Sequence, residues 1–382
     1  MPKLSMRGRI PSFIVMDVVR EANRLAAGGA DILHLEVGQP STGAPTGVVE
    51  AARAALGASA LGYTDALGIR PLRERIARHY RDFYGVEVPA ERIVATVGAS
   101  GGFVLAFLAA FEAGDRVALA SPGYPAYRNI LKALDIEVVE IEARIEDRFQ
   151  PTPALLDQVQ GRLDGLIVAS PSNPAGTMLG RTELGDLAAY CRTRGIRLIS
   201  DEIYHGLSYG AAAVTAAAID SQAIIVNSFS KYFSMTGWRL GWMVVPEAML
   251  RSIECLAQNL VISPPSLSQV AAIAAFDCHT ELETNIRRYA ENRALLLHEL
   301  PKAGFENFAP ADGAFYLYAD VGHMTADSMD FCQRMLKEIG VAITPGIDFD
   351  PVRGHQTVRF SFAGSTADME QAAKRLQGWR YK

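Results

Sequence analysis

The strongest constraint on the fold is a series of short apolar runs that are separated by longer segments with helical periodicity. Each run is rich in β-branched or other apolar residues and ends in a polar or glycine-containing loop, which is typical of a buried strand. Strands that alternate with helices between about residues 46 and 280 predict an α/β fold, with a mainly parallel sheet covered by helices on both faces. The runs are 92–97, 116–120, 166–169, 197–204 and 223–226.

Chain length and the distribution of charge indicate two domains. At 382 residues the chain is long for a single core. A helical passage rich in charged residues follows the apolar runs, so we expect a large domain over 46–280. The smaller α+β domain then combines 1–45 with 281–382. In the smaller domain, 357–362 alternates apolar and polar residues, which predicts a half-buried strand.

Composition narrows the range of partners. An apolar fraction of 49% and a charged fraction of 21% are those of an ordinary soluble globular protein. The net charge of −5 provides no basic field for nucleic acid or an anionic membrane, so we expect small molecules and further copies of the chain as partners. The four cysteines are far apart and the histidines do not cluster, which favours neither a metal site nor a disulfide framework. Without an apolar leader or a run of membrane length, we expect a cytoplasmic protein.

The stretch 228–242 carries the residues that most directly suggest chemistry. Lys231 lies where a strand runs out into a loop, and its two aromatic neighbours are expected to keep the amine partly desolvated. A neutral amine of this kind attacks a carbonyl group to form a Schiff base. Arg239 and the hydroxyls of Ser228 and Ser230 suit a doubly charged phosphate, so together these residues describe a site for pyridoxal phosphate. Taken alone, they also fit a surface lysine and a structural arginine.

Two further segments favour the same ligand. The small-residue loop 98–102 leads from a strand into an apolar helix, where backbone N–H groups and the helix dipole bind an anion. Ala99 and Ser100 are therefore candidates for a second phosphate-binding element. Asp201, at the end of a strand, suits the buried anion that keeps a pyridine nitrogen protonated, and Tyr204 suits the phenolic oxygen. A helix N-cap is the alternative for Asp201.

The pattern S-x-S-K-x-x-x-x-x-G-x-R-x-G over 228–241 resembles the cofactor-lysine signature of the class I/II aminotransferases, the fold-type I pyridoxal phosphate enzymes. Similar motifs are N-P-x-G at 173–176, P-x-Y-P-x-Y at 122–127 and P-G-x-x-F at 345–349. The resemblance extends from about the first forty residues to the last thirty. It implies a large cofactor-binding domain, a small domain built from both chain ends, and a homodimer with its active sites at the subunit interface.

The resemblance also assigns roles to individual residues. It implies that Tyr124 stacks on the pyridine ring and that Asn173 contacts both the phenolic oxygen of the cofactor and the substrate. Tyr63 is expected to reach the cofactor phosphate of the neighbouring subunit. Gly38, through its backbone N–H, and Arg359, through its guanidinium, are expected to bind the substrate carboxylate. Proline after Asn173 makes their peptide bond a candidate for the cis form.

The resemblance implies a pyridoxal phosphate-dependent aminotransferase that moves an amino group between an L-amino acid and a 2-oxo acid with ping-pong kinetics. Lys231 would first hold the cofactor and then carry the proton from the substrate Cα. A carbon–sulfur β-lyase that uses the same residues is the main alternative, and a ring-forming synthase acting on S-adenosylmethionine is another. A ligand-sensing domain of a bacterial regulator is disfavoured, because the match leaves no room for a DNA-binding module and the charge is acidic.

The substrate is indicated only by the absence of charge at certain positions. Positions that are expected to lie near the substrate side chain are Ile10, Phe13, Ile14 and Ser100, and none is charged. Because a distal carboxylate needs a cation or polar partners, the sequence favours an apolar or aromatic donor over aspartate.

Overall fold

The computed structural model describes residues 3–58 and 60–381 of the chain. Its strands are β1 (Leu33–His34), β2 (Ile93–Thr96), β3 (Arg116–Ser121), β4 (Glu137–Glu142), β5 (Gly165–Ala169), β6 (Arg197–Asp201), β7 (Ile224–Ser228), β8 (Gly241–Val244), β9 (Asn307–Phe308), β10 (Tyr316–Asp320), β11 (Val341–Ala342), β12 (Thr344–Pro345) and β13 (Thr357–Ser361). Its α-helices are α1 (Ile14–Ala27), α2 (Thr46–Ala58), α3 (Arg70–His79), α4 (Gly98–Ala110), α5 (Pro125–Ala133), α6 (Pro153–Leu156), α7 (Arg181–Arg194), α8 (Leu250–Leu260), α9 (Ser266–Ala275), α10 (His279–Glu299), α11 (Ser328–Ile339) and α12 (Thr366–Gly378).

Short helical turns supplement these elements. A π-helical turn, Tyr80–Tyr84, continues α3. The 3₁₀ turns are Met6–Gly8, Ala90–Arg92, Ala216–Ala218, Thr236–Trp238, Glu247–Met249, Leu300–Ala303, Gly346–Asp348 and Gly354–Gln356.

The larger sheet contains seven strands in the order β2-β8-β7-β6-β5-β3-β4. The strands from β7 to β4 in this order are parallel to one another, whereas β8 is antiparallel to both of its neighbours. Ala169, Asp201 and Val226 are adjacent in the register, so the carboxyl ends of β5, β6 and β7 are level. The polar loops that follow these strands therefore meet at one edge of the sheet.

Both faces of the larger sheet are buried. Along β5, Leu166 and Val168 belong to one core cluster and Ile167 to another, because successive side chains point to opposite faces. Helix α4 contributes Phe103 and Phe107 to the second cluster. This arrangement confirms the predicted α/β fold with a mainly parallel, helix-covered sheet.

A second sheet is built from the C-terminal part of the chain. Its four strands have the order β12-β13-β10-β9 and are antiparallel. Strand β1 pairs in parallel with β11, with Leu33 opposite Val341, so the N-terminal segment joins the C-terminal elements. This pairing is compatible with a small domain made from both chain ends. The boundaries at 46 and 280 stay a prediction.

Strands β4 and β13 are two of those that differ from the sequence-based expectation; β8, β9, β11 and β12 were likewise not predicted as strands. Strand β4 was not anticipated, because it lies at the sheet edge and Ile141 is its one fully buried residue within Glu137–Glu142. Strand β13 was expected to be half-buried, and that expectation is wrong, since all its residues after Thr357 are buried. Its polar residues Arg359 and Ser361 line an internal cavity and are therefore shielded from bulk solvent.

Among the residues that the structure describes, no helix combines the length and the apolar character that a membrane span requires. The four cysteines are free thiols, of which Cys191 and Cys332 are buried. The peptide bond between Asn173 and Pro174 is cis, as expected.

Candidate active site

A cavity of about 820 Å³ opens at the carboxyl ends of the parallel strands and is closed on the other side by β10, β13 and α1. Most of the candidate residues from separate parts of the sequence line this one cavity. They are Gly38, Ala99, Ser100, Tyr124, Asn173, Asp201, Tyr204, Ser230, Lys231, Arg239 and Arg359.

Lys231 lies in the interior of the cavity. Its Nζ donates a hydrogen bond to the Gly38 carbonyl oxygen at 2.6 Å and lies 6.0 Å from the centre of the Tyr204 ring. Burial lowers the pKa of Lys231 to about 8, and the positive charges of Arg359 and Arg239 act in the same direction. The desolvation comes from these cavity walls. The aromatic neighbours of Lys231 instead point into the core, where Phe233 packs against other rings.

One end of the cavity is suited to an anion. Helix α4 begins at Gly98, and its N-cap residue Val97 has no side-chain acceptor for the first free amides. Gly98 has a φ of +65°, and a Cβ at this position would overlap the guanidinium of Arg239. Arg239 also has a positive φ and donates from Nη1 to the Thr236 carbonyl oxygen at 2.9 Å. Two cationic elements, the helix start and Arg239, therefore converge at this end.

Asp201 provides a buried negative charge at the end of β6. Its Oδ1 accepts a hydrogen bond from the Ile203 backbone N–H at 3.0 Å, and its Oδ2 accepts one from the Tyr127 hydroxyl. Burial raises the pKa of Asp201 to about 6, and both hydrogen bonds oppose that rise. A turn follows Asp201, so the alternative of a helix N-cap does not apply. The role of Tyr127 was not predicted, although it is the last residue of the P-x-Y-P-x-Y motif.

Two tyrosines meet beside Lys231. The hydroxyl oxygens of Tyr204 and Tyr316 are 2.7 Å apart in a fully enclosed position. Tyr316, which the sequence analysis did not identify, begins β10 and is buried. A Cβ on Gly38 would overlap the Tyr316 hydroxyl, so glycine at position 38 gives that hydroxyl its space. No motif signals Tyr316, because its neighbours come from distant segments of the chain.

Arg359 forms a fixed cation opposite Lys231. Its Nη1 donates to Asn173 Oδ1 at 2.8 Å, and its Nη2 donates to the Glu36 carbonyl oxygen at 2.5 Å. Nη2 also lies 3.3 Å from the hydroxyl oxygen of Thr344, a contact that sequence reasoning did not predict. The guanidinium stacks on the Tyr316 ring, with 4.3 Å between Cζ and the ring centre. This position can hold a carboxylate in a defined orientation.

Two candidate residues lie outside the cavity wall. Ser228 is buried behind Ser230, and their hydroxyl oxygens are 2.9 Å apart. Ser228 therefore supports Ser230 from behind. Tyr63 is 83% exposed on the surface of its own subunit. Its predicted contact with a neighbouring subunit stays a prediction.

Helix α1 supplies an apolar wall to the cavity. Phe13, Val15, Met16 and Val19 line this side, and the Phe13 ring packs edge-on against Tyr124. Asp348 anchors the helix by accepting the backbone N–H groups of Ile14 and Val15 at 3.1 and 3.0 Å. Of the positions expected near the substrate side chain, Phe13 and Ser100 line the cavity, whereas Ile14 lines a separate groove and Ile10 is exposed.

The geometry brings an amine, the start of a helix, a buried carboxylate and a buried arginine into one enclosure. A sequence model described as "Aminotransferase class I and II" matches residues 30–376. The chain is 50% identical over 381 residues to the valine–pyruvate aminotransferase of Mycobacterium tuberculosis, covering 99% of this chain and 98% of that protein.

Two further matches agree. The chain is 33% identical over 371 residues to the (5-formylfuran-3-yl)methyl phosphate transaminase of Methanocaldococcus jannaschii, with 96% of each chain covered. A crystal structure of an aminotransferase from Mycobacterium tuberculosis matches with a TM-score of 0.97 at 50% identity, covering 99% of both chains.

These relatives transfer amino groups, and they support that activity rather than the carbon–sulfur β-lyase alternative. They confirm the family resemblance that the motifs predicted. The chain is thus an aminotransferase and belongs to the class I and II aminotransferase family.

Proposed function

We propose that this aminotransferase binds pyridoxal 5'-phosphate in the cavity, with its aldehyde at Lys231 and its phosphate at the start of α4. The observation that carries the proposal is the convergence of Lys231, Asp201 and Arg239 in a single enclosure. The lowered pKa of Lys231 favours the neutral amine that attacks an aldehyde. Ser100 and Ser230 add hydroxyls to the wall of the cavity that Arg239 also lines, which suits a dianionic phosphate.

The protein's part in the chemistry follows from the position of each group. The cofactor, when bound, supplies a conjugated ring that takes up electrons from the substrate Cα–H bond. Asp201, whose pKa of about 6 keeps it anionic at neutral pH, holds a proton on the ring nitrogen. Tyr124 would pack against the ring, and Asn173 would donate its amide N–H to the phenolic oxygen, since its Oδ1 already accepts from Arg359.

Arg359 and Lys231 would act on the substrate itself. The Arg359 guanidinium binds the α-carboxylate and thereby turns the Cα–H bond toward Lys231, with the Gly38 backbone close by. The Lys231 amine, once the substrate's amino group has displaced it from the aldehyde carbon, would then accept the Cα proton and later donate it again. The same steps run in reverse with a 2-oxo acid, so the kinetics with two substrates should be ping-pong.

We propose an apolar amino acid as the donor and pyruvate as the acceptor. The side-chain end of the cavity is bounded by the apolar residues of α1, including Phe13 and Met16. Asp368 also lines this cavity, and its charge would repel a distal carboxylate, while His34 on the same wall is already paired with Glu36 at 2.8 Å. The valine–pyruvate aminotransferase of Mycobacterium tuberculosis, 50% identical to this chain, supports the same pair of substrates.

A homodimer in the cytoplasm completes the proposal. Thr64 donates its backbone N–H to the Ser263 hydroxyl, which joins the segment carrying Tyr63 to a neighbouring loop. Exposed apolar residues in these segments form a surface suited to a second subunit, and they are Tyr63, Leu260, Val261 and Ile262. Four free cysteines fit a reducing compartment.

A half-reaction screen tests the donor. Purified protein loaded with cofactor is mixed with valine, leucine, phenylalanine, alanine or aspartate, and the loss of the visible absorbance band is followed. We expect the apolar amino acids to react at least about tenfold faster than aspartate, because an unpaired carboxylate in this wall is costly. Parallel double-reciprocal lines for valine and pyruvate would support ping-pong kinetics. A faster reaction with aspartate, or intersecting lines, would contradict the proposal.

An arginine substitution separates the carboxylate site from the side-chain site. Arg359→Lys loses the forked geometry, so we expect the rate with every donor to fall by about a hundredfold while the order of donors is kept. Arg293→Lys is the matched control, because Arg293 donates to the Ala311 carbonyl oxygen outside the cavity. If the Arg359→Lys variant changes the order of donors, then Arg359 contacts the side chain of the substrate and not its carboxylate.

A further inference from the structure

Tyr316 connects two parts of the cavity that have separate roles. Its hydroxyl oxygen lies 2.7 Å from that of Tyr204, and the face of its ring lies beneath the Arg359 guanidinium. The Tyr316 side chain is buried, and the absence of a side chain at Gly38 leaves room for its hydroxyl. A buried hydroxyl whose hydrogen bond is to a single partner takes its orientation from that bond.

We propose that Tyr316 is a positioning residue that donates its hydroxyl proton to Tyr204 and so directs the Tyr204 proton toward the phenolic oxygen of the bound cofactor. The inference rests on the proposed cofactor site. In this proposal Tyr316 acts through Tyr204.

Each hydroxyl has one proton, so the 2.7 Å contact between Tyr204 and Tyr316 can run in either direction. If Tyr204 donated to Tyr316, Tyr204 could only accept from a cofactor oxygen, and an anionic oxygen offers no proton. If Tyr316 donates, the Tyr204 proton is free to bond that oxygen, and both hydroxyl protons then have an acceptor. The second arrangement is therefore the one that the loaded cavity favours.

The environment strengthens Tyr316 as a donor. Burial raises the pKa of Tyr316, but the positive charge of Arg359 acts against that rise. A hydroxyl that lies next to a cation is a better donor, and a chain of hydrogen bonds reinforces each member. The charged or titratable groups around the tyrosine pair are Tyr124, Asp201, Lys231, Arg239 and Arg359.

The test is a pH titration of the visible absorbance of the cofactor-loaded protein. A hydrogen bond to the phenolic oxygen stabilises its negative charge and weakens its hold on the proton of the adjacent Lys231 nitrogen. Tyr316→Phe removes the donor behind Tyr204, so this bond weakens and the midpoint of the titration rises. We expect a rise of about 0.3 pH unit, which is a twofold change in proton affinity.

Tyr318→Phe is the matched control. Tyr318 lies two residues along the same strand, is also buried, and shares a hydrogen bond of 2.6 Å with Thr357, but it does not line the cavity. We expect the Tyr318 variant to keep the parent midpoint even if its melting temperature falls as much as that of the Tyr316 variant. The phenylalanine ring keeps the surface under Arg359, so the KM for valine should stay within about twofold of the parent.

A double-variant cycle decides whether Tyr316 acts through Tyr204. Tyr204→Phe alone should raise the midpoint further than Tyr316→Phe, and adding Tyr316→Phe to it should cause no further change. The inference would be overturned if the shifts of the two variants are additive. It would also be overturned if Tyr316→Phe leaves the midpoint unchanged or lowers it. If the parent protein shows no visible band with excess cofactor, the proposed cofactor site fails instead, so the two failures are distinguishable.

Discussion

The chemistry that we propose for this molecule depends first on how the cavity changes the pKa of one lysine. With a pKa of about 8, roughly a tenth of the Lys231 amines are neutral at pH 7, compared with about 0.03% for a lysine in water. Cavity walls contributed by Gly38, Tyr204 and Arg359 desolvate the amine and add a positive charge nearby. A reactive amine is therefore available near neutral pH without a separate base.

This shift predicts the pH dependence of cofactor capture. Because only the neutral amine attacks, the rate at which cofactor-free protein gains visible absorbance should rise with pH to about 8 and then level off. Stopped-flow mixing between pH 6 and 10 measures this rate. Arg359→Gln removes one of the positive charges and should move the midpoint to higher pH. If the rate for the parent protein still rises steeply above pH 9, then Lys231 has the pKa of an ordinary lysine and this prediction is wrong.

The residues that the sequence predicted lie in local motifs, whereas those that it did not predict join the candidate site through contacts far along the chain. Lys231, Asp201 and Asn173 follow apolar strands within recognisable motifs, so local sequence identifies them. Tyr316 and Thr344 take part in the site only through contacts with residues far away in the chain, which no local pattern encodes. Long-range packing, rather than motif, decides which side chains complete the enclosure.

At the start of α4, the guanidinium of Arg239 leaves no room for a side chain at position 98. Gly98→Ala would place a Cβ against Arg239 at a backbone position with positive φ. We expect it to weaken binding of pyridoxal phosphate by about tenfold or more and to destabilise the fold by about 1 kcal/mol. Fluorescence titration with the cofactor and thermal unfolding measure the two effects.

Gly101→Ala is the matched control in the same helix. The nearest atom to a Cβ at Gly101 is 3.4 Å away, and the residue has an ordinary helical backbone. We therefore expect unchanged cofactor binding and a gain in stability of about 0.5–1 kcal/mol. If both glycine variants lose cofactor affinity equally, then the effect of Gly98 on binding does not come from the space that it leaves for Arg239.

The strands show where pattern reasoning reaches its limit. Periodicity located the central parallel strands β5, β6 and β7 to within a few residues, because their burial on both faces produces continuous apolar runs. The edge strand β4 carries exposed glutamates and gives no such run. In β13 the polar residues face the cavity, so alternation of polar and apolar residues did not mean exposure to solvent.

At the scale of the whole molecule, the exposed Tyr63 makes the subunit arrangement testable. If Tyr63 completes the site of its neighbour, Tyr63→Ala and Lys231→Ala homodimers are each impaired, and mixed dimers contain one complete site. Random exchange of equal amounts should restore about a quarter of the parent activity, since half of the dimers are mixed and one of two sites is complete. Activity no higher than the mean of the two variants would place Tyr63 outside the partner's site.

The claim on which the account depends is that Lys231 is the amine that carries the cofactor. The most direct measurement is reduction of the cofactor-loaded protein with borohydride, followed by proteolysis and mass spectrometry of the peptides. The account predicts a pyridoxyl phosphate label on Lys231 and no label in a Lys231→Ala variant. A label on another lysine, or an unmodified Lys231 in protein that retains its visible absorbance, would contradict it.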